Sequence, residues 1–208
     1  TQAIVIASSE KAYGKSNGVE FSEKSPLDGT FPYDASKAIT EIICRAYKTT
    51  YTMPIATTRA CNIYGKRDYN QNRLIPAIIH AYKTGETLVM RDSGEETREY
   101  IHVDDVVSAY LLLLEKRVVL NGFVEFEVGT GQSIAIKDFL YWILNVYEEK
   151  YSKKVKSKLI FGSIPFRDGE PMEIKANLET FKDIGIRFYS TSSMSNLVLK
   201  TMLWGNLQ

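Results

Sequence analysis

A tyrosine and a lysine that could perform acid–base chemistry stand at the start of a predicted helix. Tyr33 and Lys37 are four residues apart, so a helix places both on one face. A lysine ammonium beside a phenol favours the phenolate, which can act as a general base. About one such pair is expected by chance, so the pair alone is equally consistent with a solvated helix start. Ser9, which precedes the helix, strengthens the catalytic interpretation because its hydroxyl could bind the oxygen that Tyr33 deprotonates.

Strands and helices that must position these residues alternate along the chain. Apolar, β-branched segments predict strands, and apolar residues at helical spacing predict the segments between them as helices. Gly85 is placed as a helix C-cap and Asp104 as a helix N-cap. This alternation predicts an α/β fold built on a parallel sheet. The predicted strands are 3–7, 55–59, 88–91, 123–128 and 158–161; the predicted helices are 33–51, 74–83, 104–116 and 136–149, with shorter stretches near 178–184 and 193–204.

Three predicted strands are followed by polar or glycine-rich sequence. These segments come directly after Ala7, Arg59 and Val128. Parallel sheets bind ligands at the carboxyl ends of their strands, so we expect the functional site there.

Four motifs resemble the extended short-chain dehydrogenase/reductases. They are S-S-E-K-A-Y-G at residues 8–14, Y-D-A-S-K at 33–37, R-A-C-N-I-Y-G at 59–65 and R-E-Y-I-H-V-D-D at 98–105. Within that family the chain looks like the nucleotide-sugar epimerases and 4,6-dehydratases, from residue 1 to about residue 177. The resemblance implies the C-terminal part of a Rossmann-type parallel sheet, with a smaller α/β substrate-binding domain.

The resemblance also implies a role for each matching residue. Ser9 corresponds to the family's catalytic serine or threonine, Tyr33 to its base, and Lys37 to the lysine that binds the nicotinamide ribose of NAD or NADP. Ser8 and Tyr33 are expected to contact the cofactor as well. Arg98 and Arg167 would hold the diphosphate of the substrate, because a planar guanidinium suits phosphate oxygens. The residues expected to bind the nucleotide-sugar are Asn62, Asn72, Arg73, Leu74, Arg98 and Arg167.

Both arginines have a plainer interpretation as members of surface ion pairs. Arg98 has Glu95 and Glu99 as neighbours in the sequence, and Arg167 is close to Asp168 and Glu170.

Two charged residues after Ser9 distinguish between possible reactions. Family dehydratases place an acid and a base here to eliminate water across C5 and C6, whereas epimerases typically have small or apolar residues. The tripeptide S-E-K resembles the S/T-D-K of CDP-glucose 4,6-dehydratases, with Glu10 one methylene longer than aspartate. Lys11 could remove the C5 proton only in its uncharged form. A polar strand exit without catalytic function is the alternative for Glu10 and Lys11.

The glycine-rich loop that receives the cofactor pyrophosphate in this family has no counterpart in the sequence. Gly129 and Gly131 come too late in the chain and in the wrong context. We therefore expect a chain that lacks the first half of its cofactor-binding domain and is inactive alone. Residues 1–66 are expected to form a partial Rossmann region and residues 67–208 mainly the substrate-binding region, with 88–117 returning to the Rossmann sheet.

Composition excludes several other classes of function. The net charge is +1, so neither nucleic acid nor a membrane surface is an expected partner. Cys44 and Cys61 fit no metal-ligand spacing, and two free thiols favour the cytoplasm. A nucleotide-sugar 4,6-dehydratase, using a CDP-hexose and forming a homodimer when intact, is the preferred hypothesis. The alternatives are an epimerase of the same family and a non-catalytic sugar-nucleotide-binding half-domain.

Overall fold

A computed structural model describes residues 2–14, 21, 24–91, 93–115, 125–152, 154–156, 158–165 and 172–179. The described part of the chain alternates strands with helices, which confirms the predicted α/β class. The strands are β1 Ile4–Ser9, β2 Ile55–Ala60, β3 Asn62–Tyr64, β4 Leu88–Arg91, β5 Thr97–His102, β6 Glu125–Val128, β7 Ser133–Ala135 and β8 Leu159–Ile164. The helices are α1 Pro32–Tyr51, α2 Leu74–Thr84, α3 Val103–Glu115 and α4 Ile136–Tyr151, with a 3₁₀ turn at Glu10–Tyr13.

Parallel pairing dominates the sheets. The strands β1, β2 and β6 form one parallel sheet with β2 in the centre. The strand β5 pairs in parallel with β3 and antiparallel with β7, while β4 pairs in parallel with β8. Every residue of β2 is buried, as expected of a central parallel strand that is covered on both faces.

The helix α1 crosses from the end of β1 to the start of β2. Pro32 occupies its first turn, where the missing N–H costs no helical hydrogen bond, and Asp34 adds a favourable negative charge at the helix N-terminus. Ala38 and Cys44 lie buried on the inner face of the helix. The helix ends at Thr52, which adopts a left-handed conformation with φ of 52°.

Two hydrophobic clusters form the core. The first lies between the β1–β2–β6 sheet and α3, where Leu113 of the helix and Phe126 of the sheet are fully buried. The second joins α2 to α4, and Ile78, Phe139 and Ile143 are fully buried there. The ring of Phe139 stacks on that of Tyr100 in β5, with centroids 4.1 Å apart. The second cluster therefore packs against the central strand of the β3–β5–β7 sheet.

A buried carboxylate joins three distant segments. Glu99 in β5 is fully buried and accepts hydrogen bonds from the backbone amides of Thr130 and Gly131. Its second oxygen accepts a hydrogen bond of 2.7 Å from the amide of Ala176. A residue larger than glycine at position 129 would collide with the same carboxylate, because an added Cβ would lie 2.6 Å from Glu99 Oε1.

One predicted cap is wrong, and three strands were not predicted. The helix α3 begins at Val103, and the amide of Asp104 donates to His102 Nδ1 at 3.2 Å, so Asp104 lies inside the first turn and is not the N-cap. Gly85 is the C-cap of α2, as predicted. The strands β3, β5 and β7 are short or rich in polar residues, so they lack the apolar pattern of the others.

Some predictions are not tested by the described residues. The helices expected near 178–184 and 193–204 lie largely or wholly outside those residues, as does the start of the strand expected at 123–128. The domain boundaries also stay a prediction, although α3 packs against both β1 and β5. Among the described helices, none combines the length and the apolar composition that a membrane crossing requires.

Candidate active site

The carboxyl ends of β1, β2 and β6 lie side by side at one edge of their sheet. Ser9 is in register with Ala60, and Ala60 is in register with Val128. The polar segments that follow these strands therefore meet, as the sequence predicts. A cavity of about 710 Å³ opens at this edge. Its lining includes nine of the predicted site residues: Ser8, Ser9, Glu10, Lys11, Tyr33, Asn62, Asn72, Arg73 and Leu74.

The turn after β1 holds Ser9, Glu10 and Lys11 at the cavity wall. Ser9 has extended backbone angles and caps the turn, and its Oγ accepts a hydrogen bond of 3.3 Å from the amide of Lys11. The turn ends at Gly14, whose φ of 73° is unfavourable for residues with a side chain. A Cβ at Gly14 would also lie 1.5 Å from the carbonyl oxygen of Asp28. Glycine is thus required for the chain to leave the turn in this direction.

Glu10 is a buried carboxylic acid that borders the cavity. It is 8% exposed, and its Oε2 has no hydrogen-bond partner among the described residues. Burial raises the pKa of Glu10 to about 8, because an ionised carboxylate loses hydration there. Glu99 and Glu127 raise this pKa further, while Lys11 and Arg98 oppose the increase. Glu10 therefore carries a proton near neutral pH and can act as an acid.

Tyr33 and Lys37 lie together at the start of α1, as predicted from their spacing. The Lys37 ammonium is 5.7 Å from the centre of the Tyr33 ring. It also donates a hydrogen bond of 3.3 Å to the carbonyl oxygen of Ala7 in β1. The Tyr33 side chain is 57% exposed and borders the cavity. A phenol in this place is accessible to a ligand that enters from solvent.

The predicted substrate-binding residues occupy different environments. Arg73 borders the cavity and forms an ion pair of 3.2 Å with Asp68. Asn62 also borders the cavity and donates a hydrogen bond of 3.1 Å to the carbonyl oxygen of Glu99. Their roles stay predictions.

Arg98 is buried, whereas the plainer interpretation expected it at the surface. Its Nη1 donates to the carbonyl oxygens of Thr97 at 2.7 Å and Met172 at 3.3 Å. Arg98 is not among the cavity-lining residues in the described part of the chain. Arg167 lies outside the described residues. Binding of a diphosphate by either arginine stays a prediction.

Ser8 was predicted to contact the cofactor, but its hydroxyl makes a hydrogen bond inside the protein. It borders the cavity, yet its hydroxyl donates a hydrogen bond of 2.6 Å to the buried carboxylate of Glu41. Sequence reasoning missed Glu41, which is fully buried in α1. Its position, four residues after Lys37 and eight after Tyr33, was the signal that could have found it.

Comparison with known proteins agrees with the motifs. Residues 1–129, more than half of the chain, match the family described as the NAD dependent epimerase/dehydratase family. The chain is 34% identical over 154 residues to CDP-abequose synthase of Salmonella typhimurium, a match that covers 74% of this chain and 50% of the relative. It is also 34% identical over 152 residues to dTDP-D-glucose 4,6-dehydratase of Homo sapiens, covering 73% of this chain and 42% of the relative.

Solved structures share the fold over nearly the whole chain. A UDP-N-acetylglucosamine 4-epimerase from Methanobrevibacter ruminantium aligns with a TM-score of 0.84 at 22% identity, covering 99% of this chain and 63% of the epimerase. The dTDP-glucose 4,6-dehydratase DesIV from Streptomyces venezuelae aligns with a TM-score of 0.79 at 24% identity, covering 98% and 60%. The chain spans half or less of the length of the two curated relatives described above. By its motifs, its fold and the match over residues 1–129, the chain belongs to the NAD-dependent epimerase/dehydratase family.

Proposed function

We propose that the protein is a nucleotide-sugar 4,6-dehydratase that uses NAD and acts on a CDP-hexose. The reaction oxidises C4 of the sugar, eliminates water across C5 and C6, and returns a hydride to C6. The observation that carries the proposal is Glu10, a buried carboxyl at the cavity wall directly after Ser9, whose Oε2 has no hydrogen-bond partner among the described residues. Burial raises its pKa and so favours the protonated form. An elimination needs such an acid, because hydroxide is a poor leaving group without a proton.

Lys37, which lies beside Tyr33 but is not among the described cavity-lining residues, supports binding of the nicotinamide end of the cofactor. The Lys37 ammonium has three N–H donors, so its hydrogen bond to Ala7 leaves others for ribose hydroxyls. The sequence contains no glycine-rich loop that would suit the pyrophosphate. NAD supplies the hydride acceptor and donor for the reaction when it is bound.

Each proton transfer of the reaction is assigned to a different side chain. Tyr33 removes the proton of the C4 hydroxyl, and Ser9 holds the same oxygen by a hydrogen bond. Lys11 in its uncharged form takes the C5 proton once C4 is a ketone, because the carbonyl makes that proton acidic. Glu10 gives its proton to the C6 hydroxyl, which departs as water. When the hydride returns to C6, Lys11 gives its proton back to C5. The proton that Tyr33 took from the C4 hydroxyl is released to solvent, and Glu10 takes up one proton from solvent for the next cycle.

The choice of CDP as the nucleotide is supported by two observations. The tripeptide S-E-K resembles that of CDP-glucose dehydratases, and a relative at 34% identity is named CDP-abequose synthase. Other relatives are named for dTDP-sugars. Turnover of CDP-, dTDP- and UDP-glucose, each measured at the same concentration, tests this choice directly. A preference for dTDP- or UDP-glucose would show that the nucleotide is wrong without affecting the dehydratase proposal.

The decisive experiment changes Glu10 to glutamine in the protein expressed from its complete gene. Glutamine keeps the size of the side chain and cannot donate the required proton. We expect the first hydride transfer to continue, so that the dihydronicotinamide absorbance rises while no 4-keto-6-deoxy sugar forms. Glu95→Gln, at an exposed carboxylate in an ion pair with Lys137, is the matched control and should turn over normally.

An epimerase is the second candidate, since the family includes both activities. It would make Glu10 dispensable and return a sugar that is inverted at C4 with its C6 hydroxyl retained. Normal turnover by the Glu10→Gln protein, or such a product from the wild type, would replace the dehydratase proposal with the epimerase.

We also propose a homodimer that forms through α1. The outer face of this helix exposes a row of large apolar side chains that water solvates poorly. A mass twice that of one chain, measured by light scattering on the protein from the complete gene, is the expected result, and a monomer would contradict it. The exposed side chains are Ile39, Ile42, Ile43, Tyr47 and Tyr51.

A further inference from the structure

A buried ion pair lies directly behind the cavity. Glu41 in α1 is fully buried, and Arg59 in β2 is 1% exposed. The guanidinium approaches the carboxylate through two nitrogens, with Nε 2.9 Å and Nη2 2.6 Å from Oε2. The other carboxylate oxygen accepts the hydrogen bond from Ser8 Oγ. The carboxylate of Glu41 therefore joins α1 to both β1 and β2.

The position of Glu41 on α1 relates it to the residues at the cavity. Tyr33, Lys37 and Glu41 follow one another at intervals of four, so they share one face of the helix. Lys37 binds the backbone of Ala7, and Glu41 binds the side chain of the next residue, Ser8. Two successive turns of α1 are thus attached to two successive residues of β1, directly before Ser9.

Arg59 extends the same network to the turn that carries Glu10. Its Nη1 donates a hydrogen bond of 2.7 Å to the hydroxyl of Tyr13, and the guanidinium stacks 4.5 Å from the centre of that ring. The Tyr13 hydroxyl in turn donates to Glu127 in β6. The network therefore connects α1, the turn Glu10–Tyr13 and all three strands of the sheet.

We propose that Glu41 is a positioning residue for the reaction, which Arg59 holds in place so that Tyr33 and Ser9 face the same substrate oxygen. This inference rests on the proposed function, because it assigns to Glu41 the alignment of the general base with its partner. A buried ion pair contributes little net stability, since desolvation offsets much of the attraction between the charges. The alignment of Tyr33 with Ser9 explains why the protein has such a pair beside the cavity.

The test replaces both charges at once in the protein expressed from its complete gene. Removing one partner alone would leave a buried charge and unfold the protein, whereas apolar side chains of similar size can preserve stability. We expect Glu41→Leu/Arg59→Met to keep its urea unfolding midpoint and its KM while kcat falls at least tenfold. A role limited to stability would move the midpoint and leave kcat unchanged.

A second ion pair on the same helix provides the matched control. Arg45 Nε lies 2.5 Å from Glu125 Oε1, so this pair also joins α1 to the sheet. It is one turn farther from Tyr33 and attaches the helix to β6 instead of β1. Arg45→Met/Glu125→Leu should leave kcat and KM within twofold of wild type. Equal losses of kcat in both double variants would overturn the specific role of Glu41.

Hydrogen exchange separates failure of this inference from failure of the proposed function. If the wild type converts nucleotide-sugars by epimerisation, kcat is still measurable, because both reactions begin with deprotonation by Tyr33. If the wild type converts none, the proposed function is wrong, and amide exchange decides the inference. Amide hydrogen exchange at residues 33–41 should be faster than in the wild type for Glu41→Leu/Arg59→Met and unchanged for Arg45→Met/Glu125→Leu. Unchanged exchange in Glu41→Leu/Arg59→Met would overturn the inference about Glu41.

A conservative variant covers the case in which the first double variant does not fold. Glu41→Asp keeps the charge that Arg59 requires but shortens the side chain by one methylene, so its carboxylate holds Ser8 and Arg59 less well. It should lose less of kcat than the double variant, about threefold, at unchanged KM, and an unaltered kcat in Glu41→Asp would overturn the proposal in that case.

Discussion

The β1–β2–β6 sheet with α1 and the cluster between α2 and α4 are both buried, but they are built from different chemistry. The first region buries charged groups, namely Glu41, Arg59 and Glu127. The second is formed by aromatic and aliphatic side chains such as Phe139 and Ile143. A buried ion pair contributes little net stability, because desolvation offsets its attraction, whereas burying a hydrocarbon increases stability. The difference indicates that the α1 side of the sheet supplies the geometry of the site, while the hydrophobic clusters supply the stability of the fold.

The largest effect should follow from removing the hydroxyl of Tyr33 in the first region. Tyr33→Phe takes away the proton acceptor for the C4 hydroxyl, and general-base catalysis contributes about a hundredfold to ten-thousandfold. We expect kcat to fall by that factor while the unfolding midpoint stays constant, because the ring is exposed. Tyr141→Phe, which removes an exposed hydroxyl on α4 outside the described cavity lining, is the control. Activity of Tyr33→Phe within threefold of wild type would show that the base is misassigned.

A truncation in the second region should do the opposite of Tyr33→Phe: it should lower the stability of the protein and leave kcat unchanged. Ile143 is fully buried between α2 and α4, so Ile143→Ala leaves a cavity and should lower the free energy of unfolding by about 2–5 kcal/mol. At a temperature well below the unfolding transition, kcat should be unchanged. Urea denaturation and steady-state kinetics on the same preparation measure both quantities. A large loss of kcat in the folded variant would mean that the two regions are not separable in this way.

The two regions should also differ in how their contribution to stability depends on pH. Folding raises the pKa of Glu10 from 4.5 to about 8, so between these values the folded chain keeps a proton that the unfolded chain releases. The stability that this carboxyl contributes is therefore full below about pH 4.5 and is lost as the pH rises to about 8. For one proton the slope is at most about 1.4 kcal/mol per pH unit.

The difference in free energy of unfolding between wild type and Glu10→Gln, measured from pH 5 to pH 9, isolates this contribution. It should decline up to about pH 8 and then level off. A difference that is constant across the range would show that Glu10 is ionised throughout. Ile143→Ala, compared in the same way, should give a difference that does not depend on pH.

Long elements with a regular apolar pattern could be predicted from the sequence. The bounds of α1, α2, β2 and β4 agree with the prediction within one residue, and those of β1 and α4 within two. The strand β5 was missed because T-R-E-Y-I-H alternates poorly between apolar and polar residues, and its charged side chains are buried by tertiary contacts. Asp104 was misplaced as a cap because the imidazole of His102, an uncommon capping group, takes that role.

The composition of the cavity wall was also largely predictable, since motifs at the ends of parallel strands must converge. What the sequence could not reveal is which side chains turn inward. Ser8 and Ser9 are adjacent and chemically identical, yet one hydroxyl binds the Glu41 carboxylate and the other caps the turn. The protonation of Glu10 depends on burial and on carboxylates far away in the sequence, so no local pattern indicates it.

The contacts of Glu99 constrain the order in which the chain can fold during synthesis. Its carboxylate is buried only because amides at residues 130, 131 and 176 surround it. A ribosome produces Glu99 well before those residues, and an ionised carboxylate without such donors stays in water. The strand β5 therefore cannot take its final place until 77 further residues have been added. The part of the chain up to β2 can pair earlier, so the strand that carries the cavity residue Tyr100 takes its place after the β1–β2 pair has formed.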